Sequence, residues 1–267
     1  MTLTRRRSFL GFPAVLPALA ALTGRAAAQP AAKDDDEDPP MTIKLVVLDI
    51  GGTLIADHGE VPAAMLGAFS RHGITVTPQE FSEWRGASKR EMVRHFVSRE
   101  HKSEALIEPI YADFMAAASK AYEKVQPIAG AEQAMKELAA MKLLLATTTG
   151  FDHVLTTAIL SHLGWQHYFV ASISSDQVRE GRPAPYMLFH AMEAAGVYDP
   201  AQVIAVGDTP LDLQAATNGG MGAAIGVYSG AATEERLRKE RNSGVLPSVA
   251  ALPDLIRRGL PLSHCRV

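Results

Sequence analysis

Polar residues collect where short apolar runs of this sequence end. Asp49 is followed by Gly51-Gly52-Thr53, Thr149 by Gly150, and Asp208 by Asp212 four residues on. A loop, Gly181-Arg182-Pro183-Ala184-Pro185, lies between the second and third of these places. Three carboxylates, a hydroxyl and a fixed cation set among glycine turns suit a phosphoryl group held beside Mg²⁺. That ion takes oxygen ligands and tolerates substrate oxygens in its shell. An aspartate can also attack phosphorus directly and form an aspartyl phosphate. Singly, each residue has a plainer role. An aspartate at a strand end often caps a helix, Asp212 suits a helix face, and Arg182 suits a solvated turn. Their order at successive strand ends points instead to one site.

From Met41 onward, strand and helix patterns alternate, which predicts an α/β fold with a parallel sheet. Strands are expected over 43–49, 142–148, 168–172, 202–207 and 223–227, with helices over 130–141 and 152–163 among others. In open parallel sheets ligands bind beyond the carboxyl ends of the strands, so the polar residues would meet on one edge. Residues 61–126 contain no convincing strand and read as several helices inserted after the first strand. Thr77-Pro78-Gln79-Glu80 and Ser88-Lys89-Arg90-Glu91 both have the form of a capping box. Lys89 would then sit in the first turn of a helix. The positive helix end and the neighbouring Arg90 are expected to lower its pKa and favour the neutral amine. No internal repeat or low-complexity stretch follows residue 40.

With 267 residues, 47% hydrophobic and 21% charged, and a net charge of −3, the chain has an ordinary globular composition. It carries no basic stripe of a nucleic-acid binder. Its single cysteine, Cys265, excludes an internal disulfide framework and a cysteine-rich metal site. Residues 1–28 read as a twin-arginine signal peptide. Arg5-Arg6-Arg7-Ser8-Phe9-Leu10 precedes an apolar stretch from Gly11 to Leu22, and Ala26-Ala27-Ala28 offers a cleavage site. The stretch is too short and too proline-interrupted for a membrane span of about 20 residues. Residues 29–40 form an acidic linker. Export to the periplasm by the twin-arginine route is expected, the alternative being a cytoplasmic protein whose translation starts at Met41.

Taken together, Asp49-Ile50-Gly51-Gly52-Thr53, the strand end at Thr149, Gly181-Arg182-Pro183 and Gly207-Asp208-Thr209-Pro210-Leu211-Asp212 resemble the four motifs of the haloacid dehalogenase superfamily. The resemblance runs from about residue 43 to 256. It implies a Rossmann-like parallel-sheet core over 41–60 and 127–267, with a helical cap domain over 61–126 that closes over the site. It implies Asp49 as the nucleophile and Asp49, the Gly51 carbonyl, Asp208 and Asp212 around Mg²⁺. Gly52, Thr53, Thr149, Gly150 and Arg182 would hold phosphoryl oxygens.

Two departures sharpen the resemblance. The phosphatases of the superfamily carry a general-acid aspartate two residues after the nucleophile, where this chain has Gly51. Their third motif usually offers lysine, here Arg182. Both features resemble the phosphonatase branch, phosphonoacetaldehyde hydrolase and its relatives, in which a cap lysine forms a Schiff base with the substrate aldehyde. That lysine lies about forty residues past the nucleophile in a Met-Gly-x-x-Lys stretch, matched here by Arg85-Gly86-Ala87-Ser88-Lys89. The chemistry agrees: a carbon leaving group departs from phosphorus only if an iminium accepts its electrons, and no departing oxygen then needs an acid. Against the branch stand Met92 where it has histidine, Phe151 where it tends to have tyrosine, and Arg85 in place of methionine. Arg85 could bind a second anionic group, as a carboxylated substrate needs. Arg94, His95 and His101 read as solvated.

The expected function is therefore Mg²⁺-dependent cleavage of a C–P bond through an aspartyl phosphate and a Lys89 imine. A phosphomonoesterase of the phosphoglycolate phosphatase type is the main alternative, disfavoured by Gly51. An exported binding protein without catalysis is the lesser one, disfavoured by the retained Asp49, Arg182, Asp208 and Asp212. Asp-Ile-Gly-Gly-Thr also opens sugar kinases of the actin-like fold, but those explain neither the last motif nor the helical insert. Expected partners are a small phosphonate or phosphate and neither nucleic acid nor, once the leader is removed, membrane. A homodimer through the cap stays open.

Overall fold

The computed structural model describes residues 42–259. The signal peptide and acidic linker expected over 1–40, Met41 and Cys265 lie outside the described residues. The first strand, β1 (Leu45–Asp49), is wholly buried. Its side chains alternate between two apolar layers, Val46 and Leu48 facing one and Leu45 and Val47 the other, the period-two pattern of a strand covered on both faces. After β1 come four helices: α1 (Glu60–Arg71), α2 (Pro78–Glu83), α3 (Lys89–Arg99) and α4 (Ile107–Tyr122). The remainder alternates as α5 (Ala131–Ala140), β2 (Leu144–Thr149), α6 (His153–Leu163), β3 (Ala171–Ser174), α7 (Tyr186–Ala195) and β4 (Val203–Gly207). It ends with α8 (Pro210–Asn218), β5 (Ala223–Val227), α9 (Glu234–Arg238), β6 (Gly244–Leu246) and α10 (Leu252–Arg257).

All six strands are parallel, in the order β3-β2-β1-β4-β5-β6. This is the α/β fold expected. The order reverses between β1 and β4, and at such a switch point the loops diverge and leave a crevice at the carboxyl ends. Asp49 ends β1 and Asp208 follows β4, so the topology alone brings these carboxylates together. Residues of α5, α6 and α10 join one apolar layer, and those of α7, α8 and α9 the other.

Several details differ from expectation. The third strand starts at Ala171 rather than Tyr168, because Gln166–Tyr168 form a single 3₁₀ turn. A sixth strand, Gly244–Leu246, was not expected. The Thr77 capping box closes as read, with Glu80 Oε2 accepting the Thr77 N–H at 2.8 Å. The Ser88 box does not. Ser88 Oγ accepts the Glu91 N–H at 3.4 Å, but the Glu91 carboxylate instead accepts the Gly181 N–H at 2.9 Å.

The helical insert has its own interior, in which Phe69, Phe96 and Phe114 are fully buried. Phe69 meets Phe96 edge-on at 5.3 Å, a geometry favoured by the ring quadrupoles. The two segments that join the insert to the sheet pair with each other. Ala56 N–H donates to Gln126 O and Ile128 N–H to Leu54 O, both at 2.9 Å. Among the described residues no helix is long and apolar enough to cross a membrane.

Candidate active site

Where β1, β2 and β4 end, the insert covers a small cavity of about 40 Å³. Asp49, Thr149, Gly150, Arg182 and Asp208 line it from the sheet side, and Arg85, Lys89 and Tyr122 from the insert. Three contacts seat the insert here. Lys89 N–H donates to Gly150 O at 3.2 Å, and Glu91 holds the Gly181 N–H. Gly150 lies so near the insert that a Cβ on it would meet Ala87 O at 2.4 Å. Only glycine permits that approach.

Arg182, 5% exposed, ties the sheet side together. Its Nη1 lies 2.8 Å from both Asp49 Oδ1 and Asp212 Oδ1. Its Nη2 donates to Thr148 O and to Thr148 Oγ1, at 2.9 and 2.8 Å. Asp212 also caps α8, with Oδ2 accepting from the Thr209 N–H and hydroxyl at 3.0 and 2.6 Å. Both of its oxygens are therefore occupied, and it lies outside the cavity lining. Asp208 is held differently: Oδ2 accepts the Ala231 N–H at 2.5 Å. Its carboxylate rests against two glycines. A Cβ on Gly52 would come within 2.3 Å of Oδ2, and one on Gly230 within 2.0 Å. Gly52, at φ +81°, is thus a seat for Asp208 and does not line the cavity. Nor does Thr53, whose buried hydroxyl has no hydrogen-bond partner.

Burial pushes Asp49 up to about 7, with Asp212 adding to the rise and Arg182 opposing it. Burial together with Asp49 and Asp212 raises Asp208 well above the usual carboxylate range. These are the effects of desolvation and like charge. Three buried carboxylates face one guanidinium, so the cluster is short of positive charge. Its donors are hard oxygens, as Mg²⁺ requires, and in this respect the residues fit that ion. Among the described residues no three acidic, histidine or cysteine side chains converge as a cage. An ion here would therefore rest on Asp49, Asp208, the Gly51 carbonyl and ligand oxygens, an open shell that Mg²⁺ accepts.

Lys89 is 5% exposed. Its Nζ donates to Ala87 O at 2.9 Å and stands 5.6 Å from the centre of the Phe151 ring. Burial lowers its pKa to about 8, helped by Arg182 and Arg85 and opposed by Asp49. The direction is the expected one, but Arg90 is not the cause, because its guanidinium turns to Glu108 and lies over the Tyr111 ring. Arg85 pairs with Asp57 at 2.6 Å. Arg94, His95 and His101 are exposed as expected, with His95 against Trp84 at 4.4 Å.

The sequence reading missed Thr148, Asp57, Tyr122 and Gly230. Thr148 lies in the strand expected over 142–148, and its place on β2 one residue before the strand end was the available signal. Nothing in the local sequence marks the other three: Asp57 and Tyr122 reach the cavity only through the folding of the insert and its junction, and Gly230 meets Asp208 only through the loop after β5.

A β1 that ends in a buried aspartate, an inserted helical unit and acidic residues after β4 on a parallel sheet define a class. The chain belongs to the haloacid dehalogenase-like hydrolases, whose family model matches residues 43–220. It is 30% identical over 211 residues to the phosphonoacetaldehyde hydrolase of Lysinibacillus sphaericus, covering 71% of this chain and 76% of that one. It is 29% identical over 190 residues to the phosphoglycolate phosphatase of Thiobacillus denitrificans, covering 68% and 82%. In fold it is similar to a phosphonoacetaldehyde hydrolase-like protein from Oleispira antarctica. There the TM-score is 0.70 at 22% identity, over 81% of this chain and 95% of that one.

Proposed function

We propose that this hydrolase cleaves the C–P bond of phosphonoacetaldehyde or a closely related carbonyl phosphonate. Lys89 carries the proposal. A lysine this deeply buried, with its amine on a main-chain carbonyl and its pKa at about 8, is suited to react. An amine of that pKa is about one-tenth neutral at pH 7, against less than about one part in a thousand for an ordinary lysine. Desolvation is the usual way a Schiff-base lysine is activated. The names of the Lysinibacillus and Oleispira relatives support the same reading, and so does Gly51, which offers no acid to an oxygen leaving group.

In this mechanism Lys89 Nζ adds to the substrate carbonyl and water leaves, giving an iminium. Asp49 attacks phosphorus while Thr149, Gly150 and Arg182 hold the phosphoryl oxygens. The C–P electron pair moves into the iminium, so the carbon departs as an enamine. The enamine takes a proton on carbon, and water hydrolyses the resulting imine. A second water hydrolyses the aspartyl phosphate, for a net consumption of one. Mg²⁺, held by Asp49, Asp208 and the Gly51 carbonyl, would supply positive charge against the phosphoryl oxygens. Asp212 acts through Arg182, fixing its position. The insert, seated on Gly150 and Gly181, excludes bulk water while the acyl phosphate exists. The twin-arginine pattern at Arg5-Arg6-Arg7-Ser8-Phe9-Leu10 supports the periplasm as the place of this chemistry.

Phosphate release by the full chain with Mg²⁺ tests the proposal, comparing phosphonoacetaldehyde with phosphoglycolate. Turnover of the phosphonate should fall at least about a hundredfold in Lys89→Arg, and borohydride should trap the substrate carbon on Lys89. Preference for phosphoglycolate, unchanged in Lys89→Arg, would overturn it and leave a phosphomonoesterase.

A further inference from the structure

The cavity has a polar corner that the reaction above does not use. Tyr122, the last residue of α4, is 5% exposed, and its hydroxyl is buried without a hydrogen-bond partner. Its ring meets Phe151 edge-on at 5.5 Å, the same ring that lies beneath the Lys89 amine. Tyr122, Phe151 and Lys89 thus line one cavity. Burial and the carboxylates of Asp57, Glu60 and Asp49 push the phenol's pKa upward, so it remains a donor.

Arg85 lines the same corner. Among the described residues, the one hydrogen bond of its side chain runs from Nη2 to Asp57 Oδ2, although a guanidinium carries five N–H donors. Each Asp57 oxygen already holds a donor, since Oδ1 accepts the Gly59 N–H at 3.0 Å. Donors thus outnumber acceptors in the corner, where the buried Tyr122 hydroxyl has none and Asp57 holds only one arm of Arg85, against the apolar side chains of Val61 and Phe81. An aldehyde substrate has only a hydrogen on that side of its carbonyl carbon and would leave these donors unpaired. Buried donors without acceptors are costly, and sites tend to be built so that a ligand satisfies them.

We infer that Arg85 and Tyr122 form a carboxylate subsite, and that the substrate is a β-phosphonate of an α-keto acid, the carboxylate standing on the carbon that Lys89 attacks. The inference rests on the proposed function for its orientation, with phosphorus at Asp49 and carbonyl at Lys89. The balance is unchanged. A 3-phosphonopyruvate-type substrate and one water give phosphate and the α-keto acid, and the enamine carbon takes the proton.

Binding separates this inference from the reaction. The full chain in Mg²⁺ buffer would be titrated calorimetrically with 3-phosphonopropionate and with n-propylphosphonate, unreactive ligands that differ in the carboxylate. The carboxylated ligand should bind about tenfold tighter or better, as hydrogen bonds to a charged group imply. Arg85→Met and Tyr122→Phe should each shrink that ratio several-fold, and Tyr122→Phe removes a single oxygen, so it keeps the test valid if Arg85→Met fails to fold. Equal affinities in the wild type, or a ratio untouched by Tyr122→Phe, would overturn the subsite. Phosphate release from 3-phosphonopyruvate and phosphonoacetaldehyde forms the second arm. A binding preference without turnover of either would sink the reaction and leave the subsite standing. Turnover of phosphonoacetaldehyde without a binding preference would do the reverse.

Discussion

At the scale of single residues, the site is a balance of buried charges in which Lys89 holds the informative position. Its pKa falls from the ordinary 10.5 to about 8 on folding. Between those values the unfolded chain binds more protons than the folded one, so stability rises with pH across that window, and below about pH 8 the full desolvation cost is present. Urea unfolding at pH 7.5 and 10.5 should therefore show wild type gaining on Lys89→Met by an amount on the order of 3 kcal/mol. A difference that does not change with pH would mean that the amine is solvated. Asp49 and Asp208 were legible because each sits at or just after a strand end, where local pattern and site coincide, and Arg182 because its Gly-Arg-Pro loop completes the motif order. Tyr122 was not, since a tyrosine ending an amphipathic helix looks like any other core residue.

Among elements, the strands were most legible where they are wholly apolar. The bounds of β5 match expectation residue for residue, and β1 differs only at its start. β3 failed because Tyr168 and Phe169 supply an aromatic run that turns before the sheet, while the polar Ala171–Ser174 does the pairing with β2. β6 has three half-buried residues, and its register depends on Ser243 bonding Ala224, a tertiary contact that no local pattern reports. The loop after β5 has an equally hidden role. Gly230→Ala places a Cβ 2.0 Å from Asp208 Oδ2, so either the carboxylate or the loop must shift. Denaturant unfolding should show a loss of about 1–3 kcal/mol, together with a collapse of phosphate release. Unchanged stability would show that the loop yields freely.

For the molecule as a whole, the cluster of buried carboxylates at Asp49, Asp208 and Asp212 should make stability respond to a cation. Mg²⁺ at about a hundred times its dissociation constant should add roughly 3 kcal/mol. For a domain of this size that raises Tm by roughly 5–10 °C. Asp208→Asn should abolish the response. It should also melt no lower than wild type in the absence of Mg²⁺, because it removes a like charge from a buried cluster. Thermal scans with and without Mg²⁺ check both, and a response retained in Asp208→Asn would move the ion elsewhere.

The paired segments at 54–56 and 126–128 carry a consequence for inheritance. They close the insert into a loop whose ends pair outside all of its helices. Closing a chain costs free energy that grows only with the logarithm of its length, so that junction can tolerate inserts of quite different size and sequence. Selection can then replace Arg85, Lys89 and Tyr122, which all belong to the insert, without disturbing Asp49, Arg182 or Asp208. New substrates could be acquired by exchanging one continuous stretch of sequence.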